Sequence, residues 1–125
     1  MARLAVLLSP RFTVYTYDRR GRGDSSNVKP FTVEREVEDI EALIQEAGGT
    51  AFVYGISSVG CLALEAAIKL GKKVKKLAIY EPPYNSDDTA RQQWKEYRQQ
   101  LAEAIGADRR GDAVMLLTNI LKERR

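Results

Sequence analysis

Apolar and polar positions change period several times along the chain, and each change marks an element. Residues 2–8 are mostly apolar and read as the last turns of a helix stopped by Ser9-Pro10. Phe12-Thr13-Val14-Tyr15-Thr16-Tyr17 is rich in β-branched and aromatic residues, which predicts a first strand. A glycine-punctuated polar loop, Asp18-Arg19-Arg20-Gly21-Arg22-Gly23-Asp24-Ser25-Ser26, follows directly. Beyond Pro30 the period becomes helical: Val33, Val37, Ile40, Ile44 and Ala47 recur every three or four residues, a face directed at a core. Thr32 is the expected N-cap of this helix, and Glu34 and Glu36 lie in its first turns, where the dipole favours negative charge. Gly48-Gly49 stop it.

Residues 51–54 form a short, wholly apolar run, the pattern of a strand covered on both sheet faces. A helix over residues 58–70 turns Leu62, Ala63, Ala66, Ala67 and Leu70 inward and ends at Gly71. Residues 74–80 read as a third strand, stopped by Glu81-Pro82-Pro83 because prolines cannot continue a ladder. The order β-α-β-α-β predicts an α/β fold of three parallel strands joined by right-handed crossovers. After Pro83 the pattern turns polar and helical. Asn85-Ser86-Asp87-Asp88 leads a helix over residues 89–105 with Trp94, Tyr97, Leu101 and Ile105 as its apolar stripe. Gly106 breaks that helix, and Asp112 is the expected cap of a last one through Val114, Leu117, Ile120 and Leu121. The chain thus divides into a sheet-bearing part over residues 1–83 and a helical part over residues 84–125.

Composition narrows the function classes. A chain of 125 residues with 44% hydrophobic and 30% charged residues has the make-up of one ordinary globular domain, not of a disordered segment. The net charge of +3 is small and spread over mixed-sign segments, so neither nucleic acid nor a membrane is an expected partner. Lys72-Lys73, Lys75-Lys76 and Arg124-Arg125 read as solvated surface. The single cysteine, Cys61, excludes an internal disulfide and suits a reducing compartment. With no histidine in the sequence, a zinc site of the usual nitrogen and sulfur type lacks ligands, and no metal or cofactor is expected. The apolar N-terminal stretch is too short to span a bilayer and lacks a secretory cleavage pattern, which makes the cytoplasm the expected location.

The chemistry concentrates at Phe52-Val53-Tyr54-Gly55-Ile56-Ser57-Ser58-Val59-Gly60, where an apolar strand runs straight into a helix with serine at the turn. This is the setting of a G-x-S-x-G nucleophile elbow, although Val59 stands at the second glycine and its β-branch is expected to crowd or flatten the turn. Together with Asp18-x-Arg20-Gly21-x-Gly23-x-Ser25 after a strand, and Leu77-Ala78-Ile79-Tyr80-Glu81-Pro82-Pro83, the arrangement resembles the α/β-hydrolase superfamily of serine esterases, lipases and haloperoxidase-like enzymes. The resemblance implies a partial α/β-hydrolase fold: central strands over residues 1–83 and the start of a helical cap over residues 84–125. It also implies Ser57 as nucleophile, the Ser58 backbone N–H as one oxyanion donor, and a small ester-like substrate. Asp18, Arg20 and Asp24 would then hold the glycine loop, and Trp94 and Tyr97 would line an acyl pocket beneath a closed cap.

A serine hydroxyl is a poor nucleophile without a positioned base, and no histidine is present to serve. The chain is therefore expected to be weakly active or inactive by itself. Glu81 at the third strand's end reads as a carboxylate capping the Pro-Pro turn, and Cys61 as a packing residue. Arg22-Gly23-Asp24 falls inside the loop motif, and the loop matches neither phosphate-binding glycine pattern. The competing reading is a non-catalytic binding module that self-associates through open sheet edges.

Overall fold

The computed structural model describes residues 2–84 and 87–123. Asn85, Ser86 and Arg124-Arg125 lie outside the described residues. The chain forms two compact units, Met1–Pro83 and Tyr84–Arg125.

In the first unit, α1 (Ala2–Leu8) ends where the Ser9 amide returns to the Ala5 carbonyl at 2.9 Å. α2 (Val33–Glu46) starts at Thr32, whose hydroxyl accepts from the Arg35 amide at 3.4 Å. It ends where the Gly49 amide donates to the Ile44 carbonyl at 2.8 Å, which satisfies one of the last orphan acceptors. β1 (Ala51–Ile56) leads into α3 (Ser58–Leu70), and a short 3-10 turn, Gly71–Lys73, leads into β2 (Val74–Tyr80). The strands pair in parallel, with Val53 opposite Leu77, Gly55 opposite Ile79 and Ile56 opposite Tyr80.

The core lies on one face of this sheet. Val37, Ile40 and Ile44 of α2 meet Leu62 and Ala66 of α3, with Ala51, Val53, Leu70 and Val74 packed around them. Most of these are positions that the helical periodicity selects, but Val33 is exposed, and Ala47 and Ala67 are half-buried and outside the cluster. Each fully buried aliphatic side chain contributes ~1.5–3 kcal/mol, so this small cluster is what holds α2 and α3 on the strands.

The strands of this unit depart from expectation in two ways. Residues 12–17 are not a strand among the described residues: the sheet has two strands, and the backbone of residues 13–17 makes no hydrogen bond. Strand propensity gives an extended segment, but a ladder also needs a neighbour with free backbone groups alongside. The apolar run of β1 is likewise covered on one face only, because Phe52, Tyr54 and Ile56 remain exposed opposite the buried Gly55 side.

In the second unit, α4 (Asp88–Gly106) is capped by Asp87, whose carboxylate accepts from the Thr89 amide at 3.1 Å, and α5 (Arg110–Glu123) follows. The buried residues of α4 are Tyr97 and Ala104, whereas Trp94 and Ile105 of the expected stripe are exposed. α5 begins before Asp112, which sits inside the first turn and pairs with Arg109 at 2.9 Å instead of capping. Among the described residues no helix is long and apolar enough to cross a membrane.

Candidate active site

The junction between β1 and α3 is built by close approach. A Cβ on Gly55 would come within 2.6 Å of the Val59 carbonyl oxygen, 2.7 Å of the Gly60 Cα and 2.9 Å of the Ala63 Cβ. A Cβ on Gly60 would meet the Ile79 Cγ2 at 2.7 Å. Helix and sheet can therefore touch backbone to backbone here, and the chain reverses within one residue. That residue is Ser57, with φ 55 and ψ −131. Such a conformation costs a non-glycine residue ~1–3 kcal/mol and persists only where the surroundings impose it.

Hydrogen bonds on both sides impose it. The Ser57 amide donates to the Tyr80 carbonyl at 2.9 Å, which ties the turn to the end of β2. Its own carbonyl accepts from the Gly60 amide at 2.8 Å and from the Cys61 amide at 3.4 Å. The Ser57 hydroxyl makes no capping bond and is exposed. The amides of Ser58 and Val59 have no acceptor among the described residues, so the N-terminus of α3 presents two free donors beside that hydroxyl. An exposed Oγ next to unpaired N–H groups is the arrangement that accepts an acyl carbon and its developing oxyanion.

Val59 does not flatten this turn. The close contact falls on Gly55 and Gly60, and Val59, half-buried, contributes its carbonyl rather than its side chain to that contact. The glycine needed for tight helix–strand packing has moved one place along the chain.

Glu81 follows Tyr80 directly and also holds a positive φ, 47°. Its carboxylate makes no hydrogen bond or ion pair among the described residues, so it does not cap the Pro-Pro turn. Two strained residues thus share the carboxyl end of adjacent parallel strands, where open α/β sheets place ligands. Cys61 is a half-buried free thiol in the first turn of α3. Trp94 and Tyr97 stack on each other at 5.1 Å within the second unit. No cluster of three metal-ligating side chains occurs among the described residues.

The glycine loop is held as a scaffold, by more contacts than its motif reveals. The Asp18 carboxylate accepts from the Asp24 amide at 3.1 Å, and the Asp18 carbonyl accepts from the Ser25 hydroxyl. Asp24 therefore acts through its backbone, not its carboxylate. Arg20 forks onto Asp39 with both bonds at 2.7 Å and reaches the Arg35 carbonyl at 3.0 Å. Arg19 forks onto the buried Glu36, with Nη2 donating to Oε1 at 2.6 Å. Sequence reading missed Arg19, Glu36 and Asp39 because each pair spans seventeen or more residues. Between the loop and α2 lies a cavity of about 300 Å³ bordered by Tyr17, Asp18, Ser25 and Asp39; Ser57 does not line it. Burial holds the Tyr17 phenol above its ordinary value, so it stays neutral there.

Two measurable consequences follow from these clamps. Glu36→Gln breaks a charge-assisted fork on a buried side chain and should lower unfolding stability by about 2 kcal/mol. Glu38→Gln, at the exposed Arg35–Glu38 pair, should change it by less than about 0.5 kcal/mol. Urea titrations of the two variants check this contrast. The second concerns acid. Hydrogen bonding from Arg20 lowers Asp39 below its ordinary value of 3.8. A lowered folded value means that the clamp contributes in full above 3.8 and is lost only as pH falls through the lower, folded value. Amide resonances of Gly21 and Gly23 should hold steady down to about that ordinary value and move below it. Movement centred above it would contradict the clamp.

The profile of the alpha/beta hydrolase family matches residues 1–122. The chain belongs to that family. It is also similar to a solved alpha/beta hydrolase from Sphaerobacter thermophilus, with 46% identity and a TM-score of 0.79. The match covers 94% of this chain and 45% of that one. The proline iminopeptidase PfmaB of Pestalotiopsis fici is 33% identical over 75 residues, 58% of this chain and 27% of the relative. The chain thus spans less than half the length of either relative.

Proposed function

We propose that this alpha/beta hydrolase chain carries the nucleophile of a serine hydrolase site for ester-type bonds, and that Ser57 is that nucleophile. One observation carries the reading: Ser57 holds a strained, positive-φ turn between β1 and α3 with its hydroxyl unbonded and exposed. A serine placed only to cap the helix would bond the first-turn amides, and this one does not. In the proposed reaction the Ser57 Oγ attacks a carbonyl carbon, losing its proton to a base as the acyl–oxygen bond forms. The Ser58 N–H donates to the oxyanion, and the alcohol leaves with a proton. Family membership supports hydrolytic chemistry, and the relative named as a proline iminopeptidase is consistent with attack at a carbonyl.

No histidine exists in this sequence, so a lysine or a carboxylate would have to serve as base, and the isolated chain is expected to acylate slowly. The test is covalent capture by a fluorophosphonate, which reports on the nucleophile without requiring turnover. Labelling should be lost in Ser57→Ala and retained in Cys61→Ala. Equal labelling of the wild-type chain and Ser57→Ala would end the proposal.

A further inference from the structure

Of the segments that meet at the Ser57 turn, residues 51–64 and 77–81, only Glu81 is charged. Its backbone lies beside that of Ser57. Ile56 and Tyr80 are partners in the parallel ladder, and Ser57 and Glu81 are the residues that follow them. The Ser57 amide bonds the Tyr80 carbonyl at 2.9 Å, one peptide before Glu81. The Glu81 side chain and the Ser57 side chain are both exposed there.

Local structure works against a long acidic side chain at this place. A φ of 47° suits glycine, and a residue before proline is ordinarily driven to an extended backbone. A side chain kept where the backbone opposes it points to a function. Among the described residues, however, the carboxylate accepts from no amide, pairs with no cation and does not bond the Ser57 hydroxyl. It neither braces the turn nor takes the Ser57 proton in this structure. Beside it stand two apolar side chains, Ile56 at 39% and Tyr80 at 53% exposure. An unpaired carboxylate in such surroundings attracts a cation, and an exposed tyrosine ring offers the same cation its face.

The chemistry proposed for Ser57 favours the same occupant. Attack on a carbonyl builds negative charge on its oxygen at the start of α3. A fixed carboxylate nearby opposes that charge, whereas a cation carried by the substrate and seated on Glu81 removes the opposition. We infer that Glu81 is a specificity-determining residue that selects ester substrates bearing a positively charged nitrogen near the scissile carbonyl, a selection that rests on Ser57 being the nucleophile. Neutral esters of the same shape are the disfavoured class.

The test uses two fluorophosphonates that differ only at the tip of one arm, a trimethylammonium group in one and a tert-butyl group of the same shape in the other. Mass spectrometry reads the rate at which each modifies Ser57. The wild-type chain should react about fivefold faster with the cationic probe, the size expected of one exposed charge pair with an aromatic neighbour. Glu81→Gln should bring that ratio to about one by slowing the cationic probe, and Glu81→Lys should invert it. A wild-type ratio near one would overturn the inference and leave Ser57 as the nucleophile. So would equal slowing of both probes in a Glu81→Gln chain of wild-type circular dichroism. Failure of both probes to modify Ser57 would strike at the nucleophile instead, and a titration that needs no reaction then decides the charge preference. Acetate esters with the same two tips are added to Ser57→Ala while the Ser58 and Glu81 amide resonances are followed. The cationic ester should move them at about fivefold lower concentration, and equal midpoints would overturn the selection whatever Ser57 does.

Discussion

Gly55→Ala should destabilise the chain by about 3 kcal/mol, the upper end for inserting a methyl into a packed site. Two opposing effects set the sign. Replacing glycine in a strand gains ~0.5–1 kcal/mol from the reduced freedom of the unfolded chain. Against this, the new Cβ would sit 2.6 Å from the Val59 carbonyl oxygen and 2.7 Å from the Gly60 Cα, both backbone atoms of the first turn of α3. Neither can rotate aside, so the helix must lift from the strand, and with it the turn that holds Ser57. Gly60→Ala is the instructive comparison. Its nearest contact is the Ile79 Cγ2, a side-chain carbon, and alanine is the better helix former by ~1 kcal/mol, so its cost should be roughly half as large. Urea unfolding of the three proteins decides the matter. A Gly55→Ala chain within about 0.5 kcal/mol of wild type would show that the close approach is not what shapes the turn.

Much of this fold is legible in the residues because local rules and packing agree. The three-and-four spacing of Val37, Ile40 and Ile44 gives α2 and its buried face, and the Thr32 cap and paired glycines give its ends. β2 runs from Val74 to Tyr80 as its branched residues and the following prolines require. Ser57 stands out for the same reason: a strand reaches its helix with no residues to spare. What the sequence hides is whatever depends on a partner distant along the chain. Residues 12–17 have strand composition, but pairing is a property of two segments, and among the described residues no second segment pairs with them. The Arg19–Glu36 and Arg20–Asp39 forks join a loop to a helix face, and no periodicity encodes them. Val59 was misleading because the motif counts positions, whereas the packing requires a missing side chain wherever helix and strand touch, here at Gly60. Trp94 and Ile105 fit a helical stripe by spacing, yet α4 buries Tyr97 and Ala104.

The second large effect is at Ser57. Loss of the histidine from a Ser–His–Asp triad lowers kcat by roughly 10⁶-fold, so turnover by this chain alone should be slow against a complete enzyme. The proposed nucleophile position is a separate matter, resting on the turn, the unbonded hydroxyl and the free amides at the start of α3. The sharpest test is therefore where an acyl-mimicking probe attaches. After prolonged exposure of the wild-type chain to a fluorophosphonate, tandem mass spectrometry of the digested protein should place a single adduct on Ser57. An adduct on Ser25, Ser26 or Ser58 in its place would contradict the account.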